Sequence, residues 1–437
     1  MENIISIFVF CICCILLIPK KRCIYLLSFF LSVRILVPET TRFFGSAISV
    51  NTFVIIIIFI SLLFNKKIII SYKDKKFINI IFIYIVYCLI VLPLSDMGNF
   101  KAQLGNLFEY IVTQCLPAIA ALFIIKSYKD LNIFNKSFLT ASAIACLYGL
   151  LTFVFKSNPY VELLTGKVVE MSQWKGYATF ATFTSTTTFG YFLTLGIPYT
   201  IYIFHNDKCI RKKYIIFTLV LMLVSVILCK KRSAMVSIIS MGIIYFLMYP
   251  KTKKYYINLF MAVLAMISLI LIIRMLPGLE KLNNFITASI FFWNDKAVNV
   301  TSGELGSTME LRIRQLFYPF IEIKNNYLFG HGFGWCSWYI DEYLLHPILY
   351  GFESIFATSI CEMGIMGFVV IPALFYRIYL NFIKEYKGNS NKSKINIGLL
   401  FLLTYIIDII ASGMNYFYLF LLLIVAISKM KECGYEK

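Results

Sequence analysis

Charged residues are scarce in this sequence. They make up 14% of the 437 residues, whereas hydrophobic residues make up 60%. A soluble globular chain carries about 25% charged residues, so this composition excludes an ordinary soluble domain and indicates a chain built for lipid. Apolar runs such as Ile55–Phe64 and Leu219–Leu228 do not alternate with polar residues, as the strands of a membrane β-barrel do. The sequence therefore favours membrane helices.

Motifs for metals, disulfides and nucleotide sugars are also missing. Most of the 12 cysteines lie inside apolar runs, where a thiol behaves as a small hydrophobic side chain. No CxxC pair with partner histidines is present, and no DxD-like pair stands in a polar loop. We therefore expect neither a metal nor a cofactor. The net charge of +19 is attributed to membrane topology rather than to nucleic-acid binding.

The apolar runs predict a polytopic membrane protein. About thirteen runs approach the length of a spanning helix, which needs about 20 residues. They lie near residues 4–18, 24–37, 49–64, 77–94, 110–125, 138–155, 180–204, 214–228, 234–249, 255–276, 354–380, 395–410 and 414–429. We expect an all-α fold of about 12–14 transmembrane helices with one large external loop. The expected division is a helical bundle over 1–276, an external loop over 277–353, and carboxyl-terminal helices with a cytoplasmic tail over 354–437.

Lysine and arginine mark one set of alternate loops as cytoplasmic, because basic residues concentrate on the inner side of a membrane. This sorting predicts an external amino terminus and a cytoplasmic carboxyl terminus. The other loops are expected outside, at 38–48, 95–109, 156–179, 229–233, 277–353 and 411–413. All four tryptophans fall in this external set, where they either form an interfacial aromatic belt or stack on sugars.

One loop breaks the charge rule. Lys230, Lys231 and Arg232 stand together in a segment that the count places outside. Either a span has been miscounted, or these cations have a ligand, since charge beside a membrane is costly and is usually retained for function.

The large external loop contains a predicted helix. Ser307–Glu310 reads as a capping box, and the apolar residues after it recur at helical spacing. Such a helix rests on the membrane surface or on the bundle. Arg312 and Arg314 stand about 200° apart on it, so both cannot face one ligand. The apolar positions are Met309, Ile313, Leu316, Phe317, Phe320 and Ile321.

Two short motifs follow the helix. Gly330-His331-Gly332-Phe333-Gly334 carries backbone amides that we expect to be free to approach an anion or a sugar. Glu353 then opens the next apolar run, and Glu362 begins a Glu-x-Gly-x-x-Gly motif within it. A carboxylate at the membrane edge is suited to accept a proton.

These elements, in this order, resemble the bacterial O-antigen polymerase and O-antigen ligase superfamily, over roughly residues 170–370. In that family a loop arginine precedes GxGxG by about eighteen residues, and a span carrying ExGxxG follows. Arg312 stands eighteen residues before Gly330. An earlier Gly-aromatic segment is matched by Gly176–Phe180, and an Arg-Ser/Gly-Ala opening by Arg232-Ser233-Ala234. Two positions differ from the family pattern: Lys175 stands where an arginine is usual, and Glu353 stands where ligases place histidine.

The resemblance implies a metal-independent glycosyltransferase in the bacterial inner membrane. Its donor would be a glycan on undecaprenyl pyrophosphate, and its acceptor a sugar hydroxyl of a second lipid-linked repeat unit. Arg232 and Arg312 would stabilise the pyrophosphate leaving group, and Glu353 would be the base, with His331 and His346 as alternatives. Substrate contacts are further expected at Arg314, Lys175, Gly330, His331, Gly332, Gly334 and Glu362.

Polymerase is the preferred activity, because the ligase histidine is missing. A ligase that joins glycan to lipid A core or protein is the first alternative. A lipid-linked oligosaccharide flippase is the second, since Arg34 and Asp408 lie inside apolar runs. A scaffold subunit would need none of the external cations. A chain-length regulator and a flippase are partners that the resemblance implies.

Overall fold

The computed structural model is a bundle of helices. It describes residues 2–18, 22–46, 48–64, 72–94, 100–165, 177–248, 268, 271, 309–349, 351–352, 354–386, 397–413 and 416–434, and within them no β-strand occurs. The predicted all-α architecture is confirmed. The α-helices are α1 (Glu2–Leu16), α2 (Arg22–Leu36), α3 (Val50–Leu63), α4 (Tyr72–Val91), α5 (Phe100–Tyr110), α6 (Leu116–Ile124), α7 (Tyr128–Phe155), α8 (Pro159–Thr165), α9 (Thr186–Asn206), α10 (Lys212–Leu228), α11 (Arg232–Met248), α12 (Met309–Glu322), α13 (Trp335–Tyr343), α14 (Ile355–Tyr386), α15 (Ile397–Ser412) and α16 (Phe417–Gly434).

In the described part of the chain, four helices are long and apolar enough to cross a membrane. They are Asp74–Leu94, Gln103–Ile124, Tyr128–Phe155 and Ile355–Leu380. The second of these joins α5 to α6 through a π-helical turn at Ile111–Cys115. Shorter apolar helices accompany them, among them α1, α3 and α11. The chain is therefore a membrane protein.

Helix α9 forms the centre of the bundle, because it packs against α7, α10, α11, α15 and α16. Its buried face carries Phe189, Phe192 and Tyr199. The helix begins where the side chain of Ser185 accepts a hydrogen bond from the Thr188 amide at 3.2 Å, an N-cap that satisfies one of the otherwise unpaired first-turn donors. This cap fixes the end of α9 that faces the site described below.

Contacts between loops agree with the sorting of loops into two ends. At the end assigned outside, the Thr179 amide donates to the Leu228 carbonyl at 3.1 Å. At the other end, Asn135 donates to Asp207 at 3.0 Å, and Lys429 bonds Asp74 at 2.7 Å. Residues 229–231 form a tight turn between α10 and α11, so no extra span separates these cations from the outer end.

Three expected spans have different bounds in the structure. Helix α5 begins at Phe100, inside the predicted loop 95–109, and α9 begins six residues after the predicted start at 180. The predicted span 354–380 is a helix broken at Gly364, where φ is 66° and ψ is −160°. The predicted capping box at 307–310 and the span at 255–276 lie wholly or partly outside the described residues, whereas the helix predicted after the box is present as α12.

Candidate functional site

The break in α14 is filled by the glycine-rich segment. A broken helix exposes carbonyl groups on one side of the break and amide groups on the other, and each needs a partner when buried. Here the His331 amide donates to the Cys361 carbonyl at 2.8 Å, and the Gly332 amide donates to the Glu362 carbonyl at 3.0 Å. The phenol of Tyr87 donates to the Met363 carbonyl at 3.1 Å.

The other side of the break is satisfied in the same way. The Ile365 amide donates to the Tyr327 carbonyl at 2.9 Å, and the Met366 amide donates to the Leu328 carbonyl at 3.5 Å. Residues 327–332 therefore act as a plug that completes both halves of α14. We call the segment 327–332 the plug below.

Two glycines permit this close approach. A Cβ atom on Gly330 would lie 2.5 Å from the Cys361 carbonyl oxygen, and one on Gly364 would lie 2.4 Å from the Leu328 carbonyl carbon. Both residues also have a φ of 66°, a conformation that favours glycine. The GxGxG and ExGxxG motifs are thus two halves of one backbone contact.

The expectation that the GxGxG amides are free to bind an anion is wrong. The Gly330 amide donates to the Asn326 carbonyl at 2.9 Å, the next two amides complete α14, and the Gly334 amide is bonded to the Glu362 carboxylate. The motif instead places Gly334 and Glu362 on the wall of a cavity.

This cavity has a volume of about 700 Å³ and lies where the end of the glycine-rich segment, α13 and α14 meet α4, α5, α9, the turn before α11 and the end of α15. Most segments that line it border loops that the charge pattern assigns outside. Aromatic and small polar side chains cover most of the wall, and three charged side chains, Glu109, Lys231 and Glu362, are present. Such a mixture suits a substrate that carries both sugars and phosphate.

Lys231 is the cation of the cavity among the described residues. Lys230, which precedes it, is buried and places its ammonium group 5.7 Å from the ring centroid of Phe153. Its φ of 50° turns the chain between α10 and α11, so that adjacent lysines take different directions. Lys231 also interacts electrostatically with the buried carboxylate of Asp408. Arg232, the predicted cation, is half-buried at the first position of α11.

The two carboxylates of the cavity differ in their surroundings. Glu362 is half-buried in α14, and its Oε1 accepts a hydrogen bond from the Cys336 amide at 3.3 Å. Glu109 is exposed on α5. Sequence reasoning singled out Glu362 through its motif, but it missed Glu109, which belongs to no motif and stood at the end of a predicted loop.

The two candidate histidines have different roles. The ring of His331 stacks on Trp335 with centroids 4.4 Å apart, and its buried Nε2 has no hydrogen-bond partner in the described part of the chain. His346 is buried, and its Nδ1 accepts from the amides of Ile348 and Leu349 at 3.1 and 2.9 Å. Its Nε2 lies 3.4 Å from Glu322.

The proposed role of His346 as a base is therefore wrong, because both ring nitrogens already have partners. Burial lowers the pKa of this imidazole, and the nearby Glu322 carboxylate partly opposes that shift. The ring is a turn-forming acceptor that holds residues 346–349 in place. His331 remains the histidine that stands beside the cavity wall.

Trp335 fits neither of the two predicted roles for external tryptophans. It is buried in a cluster with Cys336, Phe352 and Cys361, and its ring centroid lies 5.5 Å from that of Phe352. It is a core residue of the loop, which anchors α13 to α14.

The apolar stripe of α12 does not pack on the bundle. Ile313, Leu316, Phe317, Phe320 and Ile321 are all exposed. The opposite face is buried, and Gln315 donates to the Ile348 carbonyl at 3.3 Å. Of the two predicted positions for the stripe, the structure thus excludes packing on the bundle.

An apolar groove of about 300 Å³ joins the cavity. It lies between α14 and α15 and shares Ile355, Ser359 and Ile371 with the cavity wall. Sequence reasoning expected a groove for a lipid chain between two spans without specifying which spans. The structure provides one beside the polar cavity.

The two intramembrane charges that suggested a transporter have local partners. The Arg34 guanidinium lies 3.7 Å from the ring centroid of Tyr418 and 3.7 Å from Glu39. Asp408 accepts from Thr194 at 3.1 Å and from Ser237 at 3.2 Å. Both charges are held inside the bundle.

Several predicted site residues lie outside the described residues. These are Glu353, Lys175 and the side chains of Arg312 and Arg314, although the backbone of the last two belongs to α12. Of the remaining predicted residues, the structure brings Gly334 and Glu362 to the cavity and places Gly330, His331 and Gly332 in the plug. Arg232 adjoins the cavity residue Lys231 in the chain.

Comparison with known proteins identifies one matching family. Residues 217–371 match the family described as O-Antigen ligase, a range that includes α11, the plug, the cavity residues of α13 and the broken part of α14. No curated protein matches the chain. The match supports a general role as an enzyme and agrees with the motif order described above, because residues 217–371 are similar to the O-antigen ligase family.

Proposed function

We propose that this protein is a polysaccharide repeat-unit polymerase. It transfers a glycan from undecaprenyl pyrophosphate to a sugar hydroxyl of a second lipid-linked repeat unit, at the external face of the bacterial inner membrane. One observation carries the proposal: a polar cavity with a cation, Lys231, shares part of its wall with an apolar groove between α14 and α15. A lipid-linked pyrophosphate needs this combination of surfaces.

The cations act on the leaving group. As the anomeric carbon–oxygen bond breaks, negative charge develops on the pyrophosphate, and fixed positive groups stabilise that charge. Lys231 supplies a point charge in the cavity, whereas Arg232 and Arg312 offer guanidinium groups that match phosphate oxygens in pairs. Lys231 joins the predicted pair because of its place in the cavity wall.

The acceptor hydroxyl must lose a proton during the transfer. The sequence offers Glu353 as one candidate for the base, because it stands two residues before Ile355, the first residue of α14. The two residues that precede it in the sequence, Gly351 and Phe352, line the cavity. The substrates are lipid-linked repeat units. The proposed partner proteins are a flippase and a chain-length regulator.

A ligase is the second candidate, and the description of the matching family favours it. The same cavity and groove would serve the same donor. The two activities differ in the acceptor, which is a lipid-linked repeat unit for a polymerase and lipid A core or protein for a ligase. Glu353 at the position where ligases place histidine favours polymerase.

The deciding experiment is surface-polysaccharide gel profiling of a strain that lacks the gene, with and without complementation. A polymerase predicts that the ladder collapses to a single repeat unit and returns with the wild-type gene. Loss of the ladder with accumulation of long carrier-linked polymer means a ligase instead. An unchanged profile contradicts both activities.

Point variants then test the proposed cations. We expect Lys231→Ala, Arg232→Ala and Arg312→Ala each to lose polymerisation while the protein stays in the membrane at wild-type level. Loss of one such electrostatic donor typically costs about 10²–10³ in rate. Normal polymer in all three variants would refute the proposed mechanism.

A further inference from the structure

One wall of the cavity comes from a part of the chain that the family match does not cover. Asn106, Glu109, Tyr110 and Thr113 all line the cavity. They stand at positions i, i+3, i+4 and i+7 of the helix that runs from α5 into the π-helical turn, which is the spacing of a single helix face. This face precedes the matched segment 217–371 by about a hundred residues of sequence.

The chemistry of this face fits a sugar. An amide, a carboxylate and a hydroxyl supply the donors and acceptors that sugar hydroxyls require, and the aromatic ring of Tyr110 offers an apolar surface. The π-helical turn at Ile111–Cys115 widens the helix beside Glu109, and such turns are frequent at functional sites. The hydroxyl of Thr113 donates to the Glu109 carbonyl at 2.8 Å, which fixes the backbone there.

The face is held in register with the plug. A Cβ atom on Gly334 would lie 2.9 Å from the Asn106 amide nitrogen, so α5 and the glycine-rich segment touch at this point. The Gln103 side chain, one turn earlier, donates to the His331 carbonyl at 3.4 Å. The wall of α5 and the broken helix α14 therefore form one surface of fixed geometry.

Glu109 is better suited than Glu362 to act on a substrate hydroxyl. The Glu362 carboxylate is half-buried and accepts hydrogen bonds from the amides of Cys336 and Gly334. Glu109 is exposed to the cavity, and its carboxylate accepts no hydrogen bond from the described part of the chain. An acceptor with free lone pairs can take a hydroxyl proton, whereas one held by two amides is already committed.

The donor has its own place in the cavity. Lys231 marks where the pyrophosphate is stabilised, and the apolar groove between α14 and α15 takes the lipid. The residues of α5 do not line that groove. The α5 face is thus left for the second substrate.

We propose that the Asn106–Thr113 face is the acceptor-sugar subsite and that Glu109 is the base that receives the proton of the attacking hydroxyl. The inference rests on the proposed glycan transfer. The hydroxyl oxygen forms a bond to the anomeric carbon of the donor, the bond from that carbon to the pyrophosphate oxygen breaks, and its electron pair leaves with the pyrophosphate. The hydroxyl proton passes to the Glu109 carboxylate and then to solvent.

The test compares Glu109→Gln, which keeps the shape but cannot take the proton, with Glu109→Asp, which keeps the carboxylate. Glu342→Gln is the matched control, because Glu342 is an exposed carboxylate on α13 that does not line the cavity. Each variant is produced in the deletion strain, and the rate of polymer formation is measured in membrane vesicles. Binding of undecaprenyl pyrophosphate to the purified full-length protein is measured in detergent.

We expect Glu109→Gln to lower the polymerisation rate by about 10²–10⁴-fold, the usual contribution of a general base. Its affinity for undecaprenyl pyrophosphate should stay at the wild-type value, because the donor site is intact. Glu109→Asp should recover part of the rate, and Glu342→Gln should behave as wild type in both assays.

Three results would overturn the assignment. If Glu109→Gln polymerises at the wild-type rate, Glu109 is not the base. Loss of undecaprenyl pyrophosphate binding in Glu109→Gln, but not in Glu342→Gln, would move Glu109 to the donor site. If Glu109→Asp is as inactive as Glu109→Gln, a carboxylate at this position does not restore the reaction. A ladder that does not depend on the gene would instead refute the proposed function itself, and that outcome is recognised by comparing the wild-type and deletion strains before any variant is made.

Discussion

Replacing Gly364 by alanine should break the contact between the plug and α14. At φ 66° and ψ −160° the backbone occupies a region that is essentially restricted to glycine, and forcing another residue into such regions costs on the order of 1–3 kcal/mol. The added Cβ would also lie 2.4 Å from the Leu328 carbonyl carbon. The plug must therefore move away from the helix.

This movement leaves buried backbone amide and carbonyl groups without their hydrogen-bond partners. The nearest hydrogen bonds are those from Ile365 to Tyr327 at 2.9 Å and from His331 to Cys361 at 2.8 Å. A buried polar group that loses its partner costs about 1–3 kcal/mol. With one bond lost, the free energy of unfolding should fall by about 2–6 kcal/mol, a large share of the roughly 5–15 kcal/mol of a typical protein.

Gly242→Ala is the matched control. Gly242 lies in α11 with nothing within 4 Å of an added Cβ, so alanine there should stabilise the helix by about 0.5–1 kcal/mol. The assay is thermal unfolding of the detergent-purified protein, followed by a fluorogenic thiol dye that reacts with the buried free cysteines as they become exposed. Gly364→Ala should unfold at a clearly lower temperature than wild type and should lose polymerisation. Equal unfolding temperatures for Gly364→Ala, Gly242→Ala and wild type would refute the conclusion that the plug stabilises α14.

Two further predictions concern other buried groups. Lys429→Met removes the buried ammonium group that lies 2.7 Å from the Asp74 carboxylate and should destabilise the protein by about 3–5 kcal/mol. Adding Asp74→Asn to Lys429→Met should recover much of that loss. The same thermal assay checks both variants, and equal unfolding temperatures of the single and double variants would contradict the prediction. The pKa of His346 is lowered by burial, so its unfolded form binds more protons and the stability it provides is present above its ordinary pKa of about 6.5. The free energy of unfolding should then fall as the pH drops below that value. His346→Leu should be less stable than wild type at every pH and should lack this component of the pH dependence. An identical pH dependence in the wild-type and His346→Leu proteins would exclude His346 as its source.

The sequence by itself determined the class of the protein. Spanning helices must be long and apolar because the bilayer offers no partner for their backbone groups, and this requirement is written into the composition. The loops sort by charge for an equally local reason. Lys230–Arg232 were recognised as unusual from this pattern alone, and the turn that contains them indeed carries a cavity cation.

The tertiary structure decided what each motif does. The sequence presented GxGxG and ExGxxG as two motifs about thirty residues apart and suggested ligand contacts for the first. Only their contact in space shows that one completes the broken backbone of the other. Likewise, Glu109 belongs to no motif, and its place in the cavity depends on the Asn106–Thr113 face meeting residues such as Lys231 and Glu362, which follow more than a hundred positions later. Spacing along a chain records local periodicity, whereas a cavity is formed by segments that are distant in sequence and are brought together by packing.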